Sequence, residues 1–206
     1  PLVGGDGADA PVVIDEDLVH LLGQPQVDAV VADVLDTLGH RQQTLSAEIH
    51  AMTPARRVCG RVFTVKAVAV DAIPDEPYKL EMAAIDSMQS GDVLVVDAEN
   101  NLHSAFWGEL LSTACQAKGV RGAVMNTCTR DLWALEKMNF PVFAIGSPPA
   151  DSKGRIDVTE IGQIITMNGV NINTGDYLLG DEDGVVIIPT KILGDTLRLA
   201  LKKVSG

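Results

Sequence analysis

Helical and strand-like hydrophobic patterns alternate along the middle of the chain, and the pattern changes near residue 164. Over residues 26–38 apolar positions recur at helical spacing and stop at Gly39, a residue suited to the left-handed turn that ends a helix. Residues 61–70, RVFTVKAVAV, form a β-branched run and predict a strand. Residues 71–77 carry two prolines and predict a loop, and residues 80–88 a helix that stops before Gly91. Residues 92–96, DVLVV, are continuously apolar after the first position, the mark of a strand buried on both faces. A helix over 107–118 ended by Gly119, a buried strand over 122–125, a short helix over 130–138 and a third buried strand over 141–145 follow. This alternation from 91 to 146 predicts a parallel α/β core.

Beyond residue 164 short apolar runs are separated by Asn168-Gly169, Thr174-Gly175-Asp176 and Asp181-Glu182-Asp183-Gly184. These are hairpin signals and predict antiparallel strands, closed by an amphipathic helix over 191–204. With no internal repeat or low-complexity linker, a single domain over 1–206 is expected, its Gly- and Asp-rich residues 1–12 flexible.

Composition narrows the function. Aromatic residues are only 4%, so the core rests on Val, Ile, Leu and Ala, as suits a sheet covered by helices. The formal net charge of −12 repels phosphate backbones and argues against nucleic-acid binding, so an anionic substrate must be held by local groups. Cys59, Cys115 and Cys128 are too few and too irregular for a disulfide framework; Cys115 and Cys128 fit buried thiols of a cytoplasmic protein. No apolar run is long enough to span a membrane, and the start has no signal-peptide core.

Candidate chemistry gathers at two strand-to-helix junctions. The first opens its helix at Gly108-Glu109-Leu110-Leu111, where free first-turn amides can hold an anion and Gly108 lets a ligand approach the backbone. The second carries Arg130-Asp131, a fixed cation beside a hard oxygen ligand. In a parallel sheet both loops lie at the carboxyl edge, where ligands bind. Taken singly, each also fits an ordinary helix start, with Asp131 serving the helix dipole. Together they supply the parts for a two-point grip on a 2-oxo acid, and a single carboxylate suffices for Mg²⁺, which keeps most of its waters. Asp92, Asp97, Asp176, Asp181 and Asp183 fit turns and strand ends better. His20, His40, His50 and His103 share no ligand spacing; His103 alone falls in one of the two loops.

Residues 107–131, WGELLSTACQAKGVRGAVMNTCTRD, resemble the core motif of the RraA-like family. The likeness extends to Cys59-Gly60-Arg61, Gly91-Asp92, Phe140-Pro141-Val142-Phe143, Asp151-Ser152-Lys153-Gly154-Arg155, Gly175-Asp176 and Asp183-Gly184, and spans roughly residues 27 to 200. That family holds 4-hydroxy-4-methyl-2-oxoglutarate and 4-carboxy-4-hydroxy-2-oxoadipate aldolases and the regulator of ribonuclease activity A. The resemblance implies an α/β fold, a β/β/α swivelling domain with a mixed sheet, packed helices and a C-terminal hairpin region. It also implies homotrimers, or dimers of trimers, with sites between subunits. In it the amides of Gly108, Glu109, Leu110 and Leu111 hold the substrate carboxylate and Arg130 meets the enolate oxygen. Asp131 binds Mg²⁺ or Mn²⁺, and Glu109 orients water. The ribonuclease regulators commonly lack an acid after the Arg; with Asp131 and Glu109 both present, the resemblance is to the metal-binding branch.

The expected reaction is retro-aldol cleavage of a 4-hydroxy-2-oxo dicarboxylic acid to pyruvate, with oxaloacetate decarboxylation as a related activity. No Schiff-base lysine is needed; Lys66 and Lys153 lie outside the motif. The rivals are a non-enzymatic regulator that binds an RNA-degrading enzyme, and another small-acid enzyme on the same fold. A methyltransferase would need a Gly-rich loop after the first strand, where Asp71-Ala72-Ile73-Pro74 stand instead.

Overall fold

The computed structural model describes residues 14–206, so the expectation of a flexible stretch over 1–12 lies outside the described residues. Helices α1 (Ile14–Leu22) and α2 (Val27–Thr37) come first, then β1 (His50–Ala51) and the long strand β2 (Val58–Ala69). The middle runs α3 (Lys79–Ser87), β3 (Asp92–Asp97), β4 (Ala105–Trp107), α4 (Glu109–Ala117), β5 (Gly122–Met125), β6 (Cys128–Thr129), α5 (Leu132–Met138) and β7 (Val142–Ala144). Then follow β8 (Ile156–Ile161), β9 (Ile165–Met167), β10 (Val170–Ile172), β11 (Tyr177–Asp181), β12 (Gly184–Ile188) and α6 (Leu193–Ser205).

The main sheet has the order β1-β7-β5-β3-β2-β11-β12. Strands β2, β3, β5 and β7 run parallel, as the alternation of patterns predicts. Strand β2 is long enough to serve two antiparallel partners on its other side, β11 along residues 58–61 and β8 along 65–69. The segment before β1 closes the sheet towards a barrel. The Leu45 N–H donates to Val185 and the Ile187 N–H to Gln43, while β1 pairs β7.

Period-2 alternation explains the continuous apolar strands. In β3, Val93 and Val95 face the barrel interior, whereas Leu94 and Val96 face outward under the helices. Phe143 points inward and its neighbours Val142 and Ala144 outward. Leu178, Val185 and Ile187 line the same interior, which the β9–β10 hairpin plugs with Ile165, Met167, Val170 and Ile172. Both faces are thus apolar because both are covered. Helices α1, α2 and α6 bury a separate cluster against Leu179, Val186 and Ile188.

The predicted helix stops hold. At α2 the His40 N–H donates to Leu35 and the Gly39 N–H to Asp36; at α4, Val120 donates to Cys115 and Gly119 to Gln116. Each is a Schellman turn built on a glycine at positive φ, +86° for Gly39 and +78° for Gly119. Strand β2 starts earlier than predicted, at Val58, and two boundaries near the candidate site move. Trp107 belongs to β4, and α4 starts at Glu109; Arg130 and Asp131 precede α5, which starts at Leu132. The cause is a two-stranded parallel sheet, β4 with β6, formed by the short apolar runs that precede each helix. Among the described residues no helix is long and apolar enough to cross a membrane.

Candidate functional site

The β4–β6 pair carries the site. It extends the carboxyl edge of the parallel strands and locks the two junctions together: the Arg130 N–H donates to the Trp107 carbonyl at 2.9 Å. Trp107 is itself fixed, its ring buried and its indole N–H given to the Ser112 hydroxyl at 2.7 Å. Directly after β6 the backbone of Asp131 turns left-handed, φ +60°. Few non-glycine residues adopt that conformation, and it is common at functional sites. It sends the carboxylate back to the start of α4 rather than to its own helix. Asp131 Oδ2 accepts the Glu109 N–H at 3.2 Å.

Gly108 is the residue that makes room. A side chain there would begin 2.6 Å from Asp131 Oδ2. Its φ of −174° is ordinary extended backbone, so the requirement is space and not conformation. The following amides, of Leu110 and Leu111, lie in the first helical turn and have no intrahelical carbonyl to bond. The positive end of α4 thus faces the Asp131 carboxylate.

Arg130 spans two carboxylates. Its Nη2 lies 3.2 Å from Asp151 Oδ1 and its Nε 3.9 Å from Asp131 Oδ2. Asp151 arrives on the loop after β7, which runs beside both small strands: the Ala105 N–H donates to Ala150 and the Thr129 N–H to Gly146. Tyr78, at the start of α3, donates its hydroxyl to Asp151 Oδ2 at 2.8 Å. Burial pushes the Tyr78 phenol up to about 12, with the bond to Asp151 adding to it. Burial opposes ionisation of Asp151, yet the Tyr78 bond and the Arg130 charge hold its carboxyl below the usual range.

These groups line a cleft of about 210 Å³ together with Glu81, Met82, Phe106, Gly108, Leu110 and Leu111. Leu110 is 83% exposed and forms the rim, while Leu111 packs on the core. The Glu109 side chain is exposed at the helix start and does not line the cleft, although its amide holds Asp131. The structure therefore gathers Gly108, Leu110, Leu111, Arg130 and Asp131 in one place. It adds Tyr78, Glu81 and Asp151, which the sequence did not single out; the only signal was that Asp151 opens a stretch resembling the family.

The other candidates are accounted for elsewhere. His103 is exposed beside a separate surface dent with Glu99 and Asn100. Lys66 pairs with Asp97 at 2.7 Å and Glu99 at 3.1 Å, and Lys153 is exposed. Asp92 takes Arg61 and the Gln89 amide, and Asp176 takes the amides of Asn173 and Thr190. All three cysteines are free and buried, and burial pushes the Cys115 thiol up to about 12.

Two places offer metal-binding oxygens. At the cleft, Asp131 keeps its Oδ1 without a bond partner among the described residues, next to solvent that can complete a shell. One carboxylate with waters fits a hard cation such as Mg²⁺. Away from the cleft, Asp28, Asp181 and Asp183 bring carboxylate oxygens within 4.8 Å of one another where α2 meets the β11–β12 turn. There burial, then the contact with Asp181, pushes the Asp28 carboxyl up to about 7.

Residues 28–187 match the family model described as RraA-like, Aldolase/RraA, and the chain belongs to that family. It is 30% identical over 173 residues to a Halalkalibacterium halodurans protein named "Putative 4-hydroxy-4-methyl-2-oxoglutarate aldolase", covering 84% of this chain and 77% of that protein. It is 25% identical over 169 residues to protein DlpA of Legionella pneumophila, covering 82% of this chain but only 27% of DlpA. Among solved structures, Streptomyces coelicolor RraAS2, an unusual member of the RNase ES inhibitor RraA protein family, superposes with a TM-score of 0.81 at 25% identity. That match covers 92% of this chain and 93% of the other.

Proposed function

We propose that this chain is a divalent-metal-dependent carbon–carbon lyase that cleaves a 4-hydroxy-2-oxo dicarboxylic acid to pyruvate. The observation that carries the reading is the meeting of Arg130, Asp131 and the first turn of α4 in one cleft. The similarity to a protein named as an aldolase supports it.

In this reading the free amides of Leu110 and Leu111 bind the substrate's 2-oxo carboxylate, close to the helix's positive end. Arg130 lies against the C2 oxygen, where negative charge develops, and its guanidinium is held by Asp151 before substrate arrives. Asp131 would hold a Mg²⁺ or Mn²⁺ ion, which would supply Lewis-acid stabilisation to that developing charge. Glu109, exposed at the start of α4, accepts the C4 hydroxyl proton through water that reaches it from the cleft. The C3–C4 bond then breaks, its electron pair passing to the enolate of pyruvate, which is protonated at C3. Oxaloacetate decarboxylation reaches the same enolate. We further propose that the chain works in the cytoplasm as a homotrimer or dimer of trimers, without nucleic-acid or membrane partners. The exposed Leu110, Met82 and Trp133 would be covered by neighbouring copies.

The likeness to RraAS2 supports a second reading equally well, a non-enzymatic regulator that binds an RNA-degrading enzyme. One experiment separates them: pyruvate release, coupled to lactate dehydrogenase, from 4-hydroxy-4-methyl-2-oxoglutarate and from oxaloacetate, with Mg²⁺ and with EDTA. Metal-dependent release supports the lyase. No release from intact protein that captures such an enzyme supports the regulator.

A further inference from the structure

One cleft group has no part in the mechanism above. Glu81 faces the cleft from α3, in company with Tyr78, Met82, Phe106, Arg130 and Asp151. It is half-buried, and among the described residues its carboxyl has neither a hydrogen bond nor an ion pair. The polar groups beside it are engaged with each other: Tyr78 and Arg130 both hold Asp151.

We infer that Glu81 is the specificity-determining residue that reads the far carboxylate of a dicarboxylic 2-oxo acid, donating a hydrogen bond to it as an acid and repelling it as an anion. The inference rests on the proposed 2-oxo acid reading of the cleft and names which end of the substrate α3 recognises.

The electrostatics favour that role. The groups facing Glu81 are Asp157 from β8, Asp151 and Arg130 from the two loops, and Tyr78 from its own helix start. Arg130 is committed to Asp151 and Asp131, and among the described residues no cation pairs with Glu81. Burial, then the charges of Asp151 and Asp157, pushes the Glu81 carboxyl up to about 7. Tyr78 keeps its proton and Asp151 stays ionised across the neutral range, so neither changes role there. A protonated carboxyl gives a short, charge-assisted bond to a carboxylate, one of the stronger hydrogen bonds available to a side chain. Ionised, it places two like charges together, and a dianion can enter only with uptake of a proton.

The test compares two unreactive ligands, 2-oxoglutarate and 2-oxobutyrate, which share the 2-oxo carboxylate and differ in the second one. Their dissociation constants are measured by calorimetry with saturating Mg²⁺ across the neutral range, for the wild type and for Glu81→Gln. In the wild type the ratio of the 2-oxoglutarate constant to the 2-oxobutyrate constant should climb about tenfold per pH unit above the midpoint. In Glu81→Gln, which keeps a donor but cannot ionise, the ratio should stay flat. A flat ratio in the wild type, which needs no variant to fold, overturns the inference. So does an unchanged climb in Glu81→Gln. Binding of neither ligand is the separate result that removes the 2-oxo acid reading itself.

Discussion

The Asp131 carboxylate stands where a side chain on Gly108 would begin, 2.6 Å from the position of the absent Cβ. No real Cβ tolerates that approach to an oxygen, and the neighbouring Glu109 amide holds the same oxygen at 3.2 Å. Gly108→Ala should therefore push Asp131 off the helix end while leaving the core intact. Metal-dependent pyruvate release is expected to fall about a hundredfold, the scale of losing a preorganised electrostatic contact. Asp131→Ala should abolish the metal-dependent part. Substantial turnover by Asp131→Ala, or full activity in Gly108→Ala, would remove this pair from the site.

Arg130 is held between Asp131 and Asp151, and only a planar fork can face both carboxylates at once. Arg130→Lys keeps the charge and loses the fork. We expect kcat/KM to drop by about two orders of magnitude with the melting temperature little changed. Tyr78→Phe acts one step further out. It removes the hydroxyl bonded to Asp151 and should cost about 1 kcal/mol in urea unfolding. Equal kinetic effects from the two variants would contradict this order of importance.

The parallel core was legible because period 2 and period 3.6 are strong signals: DVLVV, GAVM and PVFA became β3, β5 and β7, and Gly39 and Gly119 became helix stops. The hairpin signals Asn168-Gly169 and Asp183-Gly184 likewise mark the β9–β10 and β11–β12 turns. Strands β4 and β6 were not legible, since runs of three and two residues carry no measurable period. Their pairing decides where Arg130 and Asp131 point, so the residues of the site could be named from sequence but not their partners. Tyr78, Glu81 and Asp151 come from loops and a helix far apart in the chain, and nothing local marks a carboxyl as buried. Asp181 and Asp183 read as turn residues, and nothing in the sequence shows that the fold brings them against Asp28.

Phe143 tests the barrel interior. It is fully buried among Val95, Val124 and the plugging hairpin, and the neighbouring strands are pinned on both sides. Such a site cannot collapse into a vacated volume. Phe143→Ala should cost about 3–5 kcal/mol in urea unfolding. A loss under about 1 kcal/mol would mean that the β9–β10 hairpin relaxes into the space.

Asp28 gives the fold a pH dependence of predictable sign. It is 5% exposed, its carboxyl contacts that of Asp181, and its own carboxylate oxygen takes the Ala29 amide at 2.7 Å. Burial and then Asp181 raise it from an ordinary 3.8 to about 7, so the folded chain binds the proton more tightly than the unfolded chain. Stability from this group is full below 3.8 and is lost as the pH rises through about 7. Asp28→Asn keeps the shape and removes the charge. At about pH 8 it should melt above the wild type, by about 2–4 °C for each kcal/mol recovered, and near pH 4 the two should coincide. Glu81 titrates with the same sign in both proteins and cancels from the comparison. If Asp28→Asn melts lower than the wild type by the same margin at both pH values, Asp28 serves through its hydrogen bonds and its charge carries no cost.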